Sequence, residues 1–159
     1  MKQNSKTIAL NAMIAGVYAA LTILISPIAY SEIQMRLSEI MVFLAFYNKK
    51  YIPGLIVGCL IANIPSTLGL LDIGFGTLST IIVCITMYFL SNRYVAGLMG
   101  GIITGSIIGY ELHLAFQIPF LINAFYVFVG EAIVLIIGAY LFGLIEKNQN
   151  IVNQYLLEK

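Results

Sequence analysis

The residues of this sequence that could do chemistry are charged and polar side chains that interrupt long apolar runs. Arg36 and Glu39 lie three residues apart, so on a helix they would share a face and could pair. They could form a structural ion pair, or they could present a hydrogen-bond donor and an acceptor together to a polar ligand. The sequence leaves these two interpretations evenly balanced.

A second set of polar residues lies on the last apolar run. Asn123, Val127 and Glu131 recur every four residues, so they would lie on one face of a helix. Glu131 is 11 residues in from Phe120. At 1.5 Å per residue this is about 16 Å, or roughly halfway across a membrane. A carboxylate at that depth needs a partner or a proton.

Three further polar positions are candidates for a site. His113 is the only histidine. A lone histidine is more often a packing group than a ligand. The polar neighbours Glu111 and Gln117 make that preference for a packing role weaker here. Asp72 precedes a predicted helix start, so an N-cap is its default role. The Asn63 amide has no use within its own helix, which predicts that it lines a polar cavity.

Motifs for catalysis and cofactor binding are missing from the sequence. It contains no HExxH, no cluster of Cys and His, no GxSxG, no Walker A loop and no dinucleotide fingerprint. We therefore expect no enzymatic activity, no metal site and no cofactor in this chain, and no nucleic-acid partner. Cys59 and Cys84 lie singly in apolar runs and are predicted to be small packing residues.

The composition requires membrane helices to position these residues. The chain has 159 residues, of which 60% are hydrophobic and 9% charged, and its mean hydropathy is +0.97. Soluble domains have about 25% charged residues. We predict an all-α integral membrane protein with a single transmembrane domain over residues 1–159. Its six predicted spans are 7–29, 35–48, 51–71, 73–91, 94–111 and 120–145. The second is the weakest prediction because Arg36, Ser38 and Glu39 interrupt its first turns.

Charges alternate between the breaks that separate these spans. Seven of the eight basic residues lie at one set of breaks: Lys2, Lys6, Lys49, Lys50, Arg93, Lys147 and Lys159. Five of the seven acids lie at or near the other set, with Arg36 as the only base: Glu32, Glu39, Asp72, Glu111 and Glu131. The positive-inside rule therefore predicts that both termini are cytoplasmic. Acids contribute little to orientation, so their clustering predicts a solute pocket in the outer half.

Two predicted spans carry ladders of small residues. The fifth has glycine at every fourth position: Gly97, Gly101, Gly105 and Gly109. The first has a similar ladder: Ala12, Gly16 and Ala20, with Ala15 and Ala19 beside it. The glycine ladder predicts close helix packing within the bundle. The ladder of the first span could serve the same purpose or dock on a second membrane protein.

Segments along nearly the whole chain resemble one known family. The most specific are Arg-Leu-Ser-Glu at 36–39, Gly-Leu-Leu-Asp at 69–72 and Glu-Leu-His at 111–113. The matching segments are 10–18, 33–39, 50–55, 58–63, 69–78, 109–113 and 130–131. On these segments the chain resembles the QueT family of S components, the substrate-binding subunits of energy-coupling factor (ECF) transporters. This family is thought to take up precursors of the modified nucleoside queuosine.

The resemblance implies a six-helix S-component bundle in the plasma membrane of a bacterium. Such a subunit binds its solute from outside and joins a transmembrane coupling protein and two cytoplasmic ATPases, which use the ATP. It then topples within the bilayer to release the solute. The resemblance also implies that small residues of the first helix dock on the coupling protein. In this sequence these would be Ala12 and Gly16, or Ala15 and Ala19.

The implied solute is a 7-deazaguanine such as preQ1, with preQ0 and queuine left open. Its ring N–H and exocyclic amine could donate to one carboxylate, and its carbonyl oxygen needs a donor. A cationic aminomethyl group would pair with a second carboxylate. The substrate-binding residues that we predict on this basis are Gln34, Arg36, Glu39, Asn63, Asp72, Glu111, His113, Asn123 and Glu131.

Two alternatives leave the topology unchanged. The chain could be an S component for queuine or another vitamin-like solute. It could also be a carrier that acts alone and is coupled to protons or cations, with Glu131 and His113 as a proton relay.

Overall fold

The computed structural model describes residues 5–29 and 35–147, and all regular structure in these ranges is helical. The elements in chain order are α1 (Ser5–Leu24), α2 (Ser26–Ala29), a 3-10 helix (Leu37–Val42) that leads into α3 (Phe43–Tyr47), a 3-10 turn (Lys49–Tyr51), α4 (Ile52–Asn63), α5 (Leu70–Phe89), α6 (Arg93–Phe116) and α7 (Phe120–Glu146). The predicted all-α class is confirmed.

Four of these helices are long and apolar enough to cross a membrane. They are α1, α5, α6 and α7, with 20 to 27 residues each. They correspond to the predicted spans 7–29, 73–91, 94–111 and 120–145. The fifth span was predicted too short, because α6 continues past Glu111 to Phe116 and so includes His113. The chain is a multi-pass membrane protein with a helical bundle.

The other two predicted spans are shorter than expected. The second corresponds to 11 residues, Leu37–Tyr47, and begins as a 3-10 helix. The third, predicted over 51–71, is wrong in its outer part because α4 ends at Asn63. Pro65 has no N–H to bond the carbonyl of Ile61, so the helix cannot continue. Gly69, with φ of 57°, then precedes α5.

Basic residues meet at one end of the bundle. Arg93, at the start of α6, pairs with Glu146 at the end of α7. Near the start of α1, the Asn11 amide donates to the carbonyl of Lys50 at 2.9 Å. We call the end that contains Lys49, Lys50, Arg93 and Lys147 the basic end. The opposite end, with Glu39, Asp72 and Glu111, is the acidic end. The predicted alternation of charge is therefore present among these described residues, while Lys2, Glu32 and Lys159 lie outside them.

The glycine ladder of α6 packs on α7 along its length. A Cβ atom at Gly97 or Gly101 would lie 3.3 Å from the nearest atoms of α7. At Gly105 and Gly109, a Cβ would lie only 2.8 and 2.5 Å from backbone atoms of Ala124. Such separations are shorter than van der Waals contact, so only glycine allows the two backbones to come this close. The prediction of close packing within the bundle is confirmed.

We expect Gly105→Ala to destabilise the protein by about 1–3 kcal/mol, because the added methyl group must push α7 away from α6. The measurement is the midpoint of thermal unfolding in detergent. The control is Ser106→Ala, since Ser106 is exposed and bonds only to Ile102 of its own helix among the described residues. An unfolding midpoint that is the same for both variants would contradict this account of the ladder.

Candidate functional site

The 3-10 helix is held against α1 by two side-chain hydrogen bonds. The Tyr18 hydroxyl donates to the carboxylate of Glu39. The hydroxyls of Thr22 and Ser38 are 2.6 Å apart and share a second bond. All four side chains are buried. Tyr18 and Thr22 therefore fix the position of Glu39, and sequence reasoning missed both. The available signal was their spacing of four residues, which puts two polar groups on one face of α1.

Arg36 precedes the 3-10 helix in extended conformation and reaches across to α5. Its Nη2 lies 3.8 Å from Oδ1 of Asp72, and both side chains are buried. This pairing was not predicted, and Asp72 lies 36 positions after Arg36 in the chain.

The prediction that Asp72 is an N-cap was wrong, because α5 begins two residues earlier, at Leu70. Asp72 instead lies in the first turn of α5 and accepts a hydrogen bond from the hydroxyl of Ser66.

A narrow cavity lies between the 3-10 helix, α5, α6 and α7. It has room for about one water molecule. The lining residues are Arg36, Glu39, Gly76, Ser79, Thr104, Ile108 and Glu131. Three predicted substrate-binding residues, Arg36, Glu39 and Glu131, therefore converge on one space. Ser79 and Thr104 were not predicted, and their hydroxyls are hydrogen bonded at 3.2 Å.

Asn63 lies at the end of α4 and is fully buried beside α5. A Cβ atom at Gly76 would lie 2.4 Å from Nδ2 of Asn63 and 3.5 Å from Nη1 of Arg36. Glycine at this position therefore makes room for both polar side chains. The Asn63 amide also donates to the sulfur of Cys59, at 3.4 Å. Cys59 and Cys84 are both free and buried, which agrees with packing roles.

Several buried acceptor oxygens have no hydrogen-bond donor among the described residues. They are Oδ1 of Asn63, Oδ1 of Asp72, both carboxylate oxygens of Glu111 and Oε1 of Glu131. Glu111 is in electrostatic contact with Asp72 and Arg36. Glu131 is in electrostatic contact with Glu39 and Arg36. Buried acceptors of this kind are costly, so the arrangement is suited to a ligand that brings N–H donors.

The described residues contain no group of three or more His, Cys, Asp and Glu side chains that could hold a metal ion.

His113 and Asn123, two further predicted residues, are not among the residues that line the cavity. Nδ1 of His113 donates to the carbonyl of Ile118 at 2.7 Å, and Asn123 donates to the same carbonyl at 3.4 Å. Both side chains therefore stabilise the connection between α6 and α7, and their roles in binding stay predictions. Gln34 lies outside the described residues. Asn123, Val127 and Glu131 share a buried face of α7, as their spacing predicted.

Comparison with known proteins identifies the kind of protein that carries this site. The family model described as "QueT transporter" matches residues 8–147. The chain belongs to the QueT transporter family. The resemblance to this family noted in the sequence is confirmed. The QueT family is one of transporters and not of enzymes.

One relative has the name "Queuosine precursor transporter QueT" and comes from Lactococcus lactis subsp. cremoris (strain MG1363). It is 39% identical over 85 residues, which are 52% of this chain and 50% of the relative. The match thus covers about half the length of that curated relative. No solved structure matches this QueT chain.

We expect Tyr18→Phe to destabilise this QueT protein by about 1–3 kcal/mol, because the buried Glu39 carboxylate loses a donor. The measurement is again the midpoint of thermal unfolding in detergent. Tyr140→Phe is the matched control, since Tyr140 is 58% exposed on α7. Equal midpoints for the two variants would show that the bond from Tyr18 to Glu39 adds nothing to stability.

Proposed function

We propose that this chain is the S component, the substrate-capture subunit, of an ECF-type importer for a queuosine precursor. Its solute would be a 7-deazaguanine such as preQ1, bound from outside the plasma membrane of a bacterium. Six helices would cross the membrane, with both termini in the cytoplasm. The observation that carries the proposal is the set of buried carboxylates without donors, beside a single arginine, in a chain of the QueT family.

The cavity supports this proposal through the chemistry of its lining. Oε1 of Glu131 could accept from the ring N–H and the exocyclic amine of a 7-deazaguanine. Arg36 could donate to its carbonyl oxygen. The cavity has room for about one water molecule, so a two-ring base needs the surrounding elements to move apart. Access from the acidic end fits capture from outside.

Titration calorimetry of the purified chain with preQ1 tests this function. We expect tight binding to the wild-type chain and at least about tenfold weaker binding to Glu131→Gln, because the amide replaces an acceptor oxygen with a donor. Glu146→Gln is the control, since Glu146 lies at the basic end and pairs with Arg93. Unchanged affinity of Glu131→Gln would remove this residue from the site.

The same preparation separates the alternatives. Failure of the wild-type chain to bind preQ1, with binding of queuine or another vitamin-like solute, would assign a different specificity. Uptake into liposomes by this chain without any ATPase would favour a carrier that acts alone. The proposed relay for such a carrier is not assembled, because His113 bonds to the loop and does not line the cavity with Glu131.

The two registers of small residues on α1 differ in exposure. Ala15 and Ala19 are buried, and a Cβ at Gly58 of α4 would lie 3.0 Å from the Cα of Ala15. Ala12 and Gly16 are exposed. We therefore propose docking on the coupling protein through Ala12 and Gly16. The partner ATPases would use the ATP, and this chain would need no cofactor of its own.

We expect Gly16→Leu to prevent co-purification with the coupling protein and to leave preQ1 affinity unchanged. A Cβ at Gly16 meets nothing within 4 Å, so the substitution fills the docking face without disturbing the bundle. Gly74→Leu is the matched control, because Gly74 on α5 is exposed and has equally open surroundings. Wild-type yields of the complex with Gly16→Leu would exclude this face.

A further inference from the structure

Four of the buried oxygens without donors belong to three residues near the acidic end. They are Oδ1 of Asn63, Oδ1 of Asp72 and the two carboxylate oxygens of Glu111. The three side chains, which we call the outer acceptor cluster, are no more than 2% exposed. The cluster joins the end of α4 to the first turn of α5 and the last turns of α6.

The outer acceptor cluster adjoins the cavity at Glu131. Asp72 lies four residues before Gly76 on α5, which is about 6 Å along the helix axis. Glu111 lies three residues after Ile108 on α6, which is about 4.5 Å. Gly76 and Ile108 both line the cavity. Asp72 and Glu111 are therefore each about one helical turn from the cavity, towards the acidic end, while Asn63 lies beside the lining residue Gly76.

The surroundings of the cluster are apolar on one side. Ile108, Leu112 and Val127 form a buried group there, with Leu68 and Phe75 packed against it. In such surroundings a charge interacts strongly with its partner, and a carboxylate without a partner is costly. The Asp72 and Glu111 side chains are close enough for a hydrogen bond when one of the two carboxyl groups carries a proton, and Arg36 interacts electrostatically with both.

The type of group that would satisfy these oxygens follows from their number and charge. Three belong to carboxyl groups and one to an amide, and all four accept hydrogen bonds when the carboxyl groups are ionised. An ammonium group supplies three donors and a positive charge. A neutral substituent supplies no positive charge, and the described residues hold no group of three or more His, Cys, Asp and Glu side chains that could bind a metal ion.

We propose that the outer acceptor cluster is a subsite for an ammonium group of the captured solute, with the ring bound in the cavity at Glu131. The inference rests on the proposed function and deepens it, since it states which precursors the chain selects. A 7-aminomethyl-7-deazaguanine places an ammonium group outside the ring, whereas the 7-cyano compound has the same ring and a neutral substituent. The chain should therefore select the aminomethyl compound.

The first test compares the two compounds on the wild-type chain by titration calorimetry. We expect the 7-aminomethyl compound to bind at least about tenfold more tightly than the 7-cyano compound, as for a buried hydrogen bond to a charged group. Equal affinities would overturn the subsite and leave the proposed function intact. Binding of neither compound would overturn both.

The second test uses Glu111→Gln, which keeps the size of the side chain and removes its charge. We expect this variant to weaken binding of the aminomethyl compound about tenfold and to leave the affinity for the cyano compound unchanged. Glu146→Gln at the basic end should change neither affinity. A merely structural role for Glu111 would weaken both compounds by the same factor, and that result would overturn the subsite. The wild-type comparison decides the question even where the variant fails to fold.

Discussion

The structure of the acidic end is constrained by its buried carboxylates, which outnumber the positive charges that could balance them. Glu39, Asp72, Glu111 and Glu131 are all buried, and Arg36 is the one described base among them. Each buried ion loses several kcal/mol of hydration unless partners replace the water. The partners that are present come from separate parts of the chain: Tyr18 on α1 and Ser66 in the turn before α5. Polar contacts therefore join elements that are distant in sequence. The acceptors that remain unsatisfied are the ones available to a solute.

The two sides of the site are held together by different interactions. On one side α6 and α7 pack backbone against backbone through the glycine ladder, which fixes Glu111 relative to Glu131. On the other side lie short elements: the 3-10 helix, the end of α4 and the turn over residues 64–69. Side-chain hydrogen bonds, worth about 1 kcal/mol each, are among the contacts that hold these short elements. For the proposed solute to enter, we expect the short elements to move rather than the closely packed α6 and α7.

The sequence predicted the long helices better than the short ones for a physical reason. Apolar runs mark α1, α5, α6 and α7 within a few residues at most ends, because a membrane helix needs a continuous apolar length. Residues 64–71 are largely apolar as well, but Pro65 and the positive φ of Gly69 end α4 early, and hydropathy does not detect backbone effects.

The site was predictable to a similar extent. Arg36, Glu39 and Glu131 stand out as charges in apolar runs, and all three line the cavity. Tyr18, Ser79 and Thr104 are ordinary residues in membrane helices, and only the fold shows what they face.

Helix α1 has two faces with different surroundings. Tyr18 and Thr22 bond to the 3-10 helix, while Ala12 and Gly16 are exposed on the proposed docking face. Because α1 is a continuous helix from Ser5 to Leu24, a shift of the docking face also moves Tyr18 relative to Glu39. Docking and solute binding would then be coupled. The factor by which the solute changes the affinity for the coupling protein must equal the factor by which docking changes the affinity for the solute.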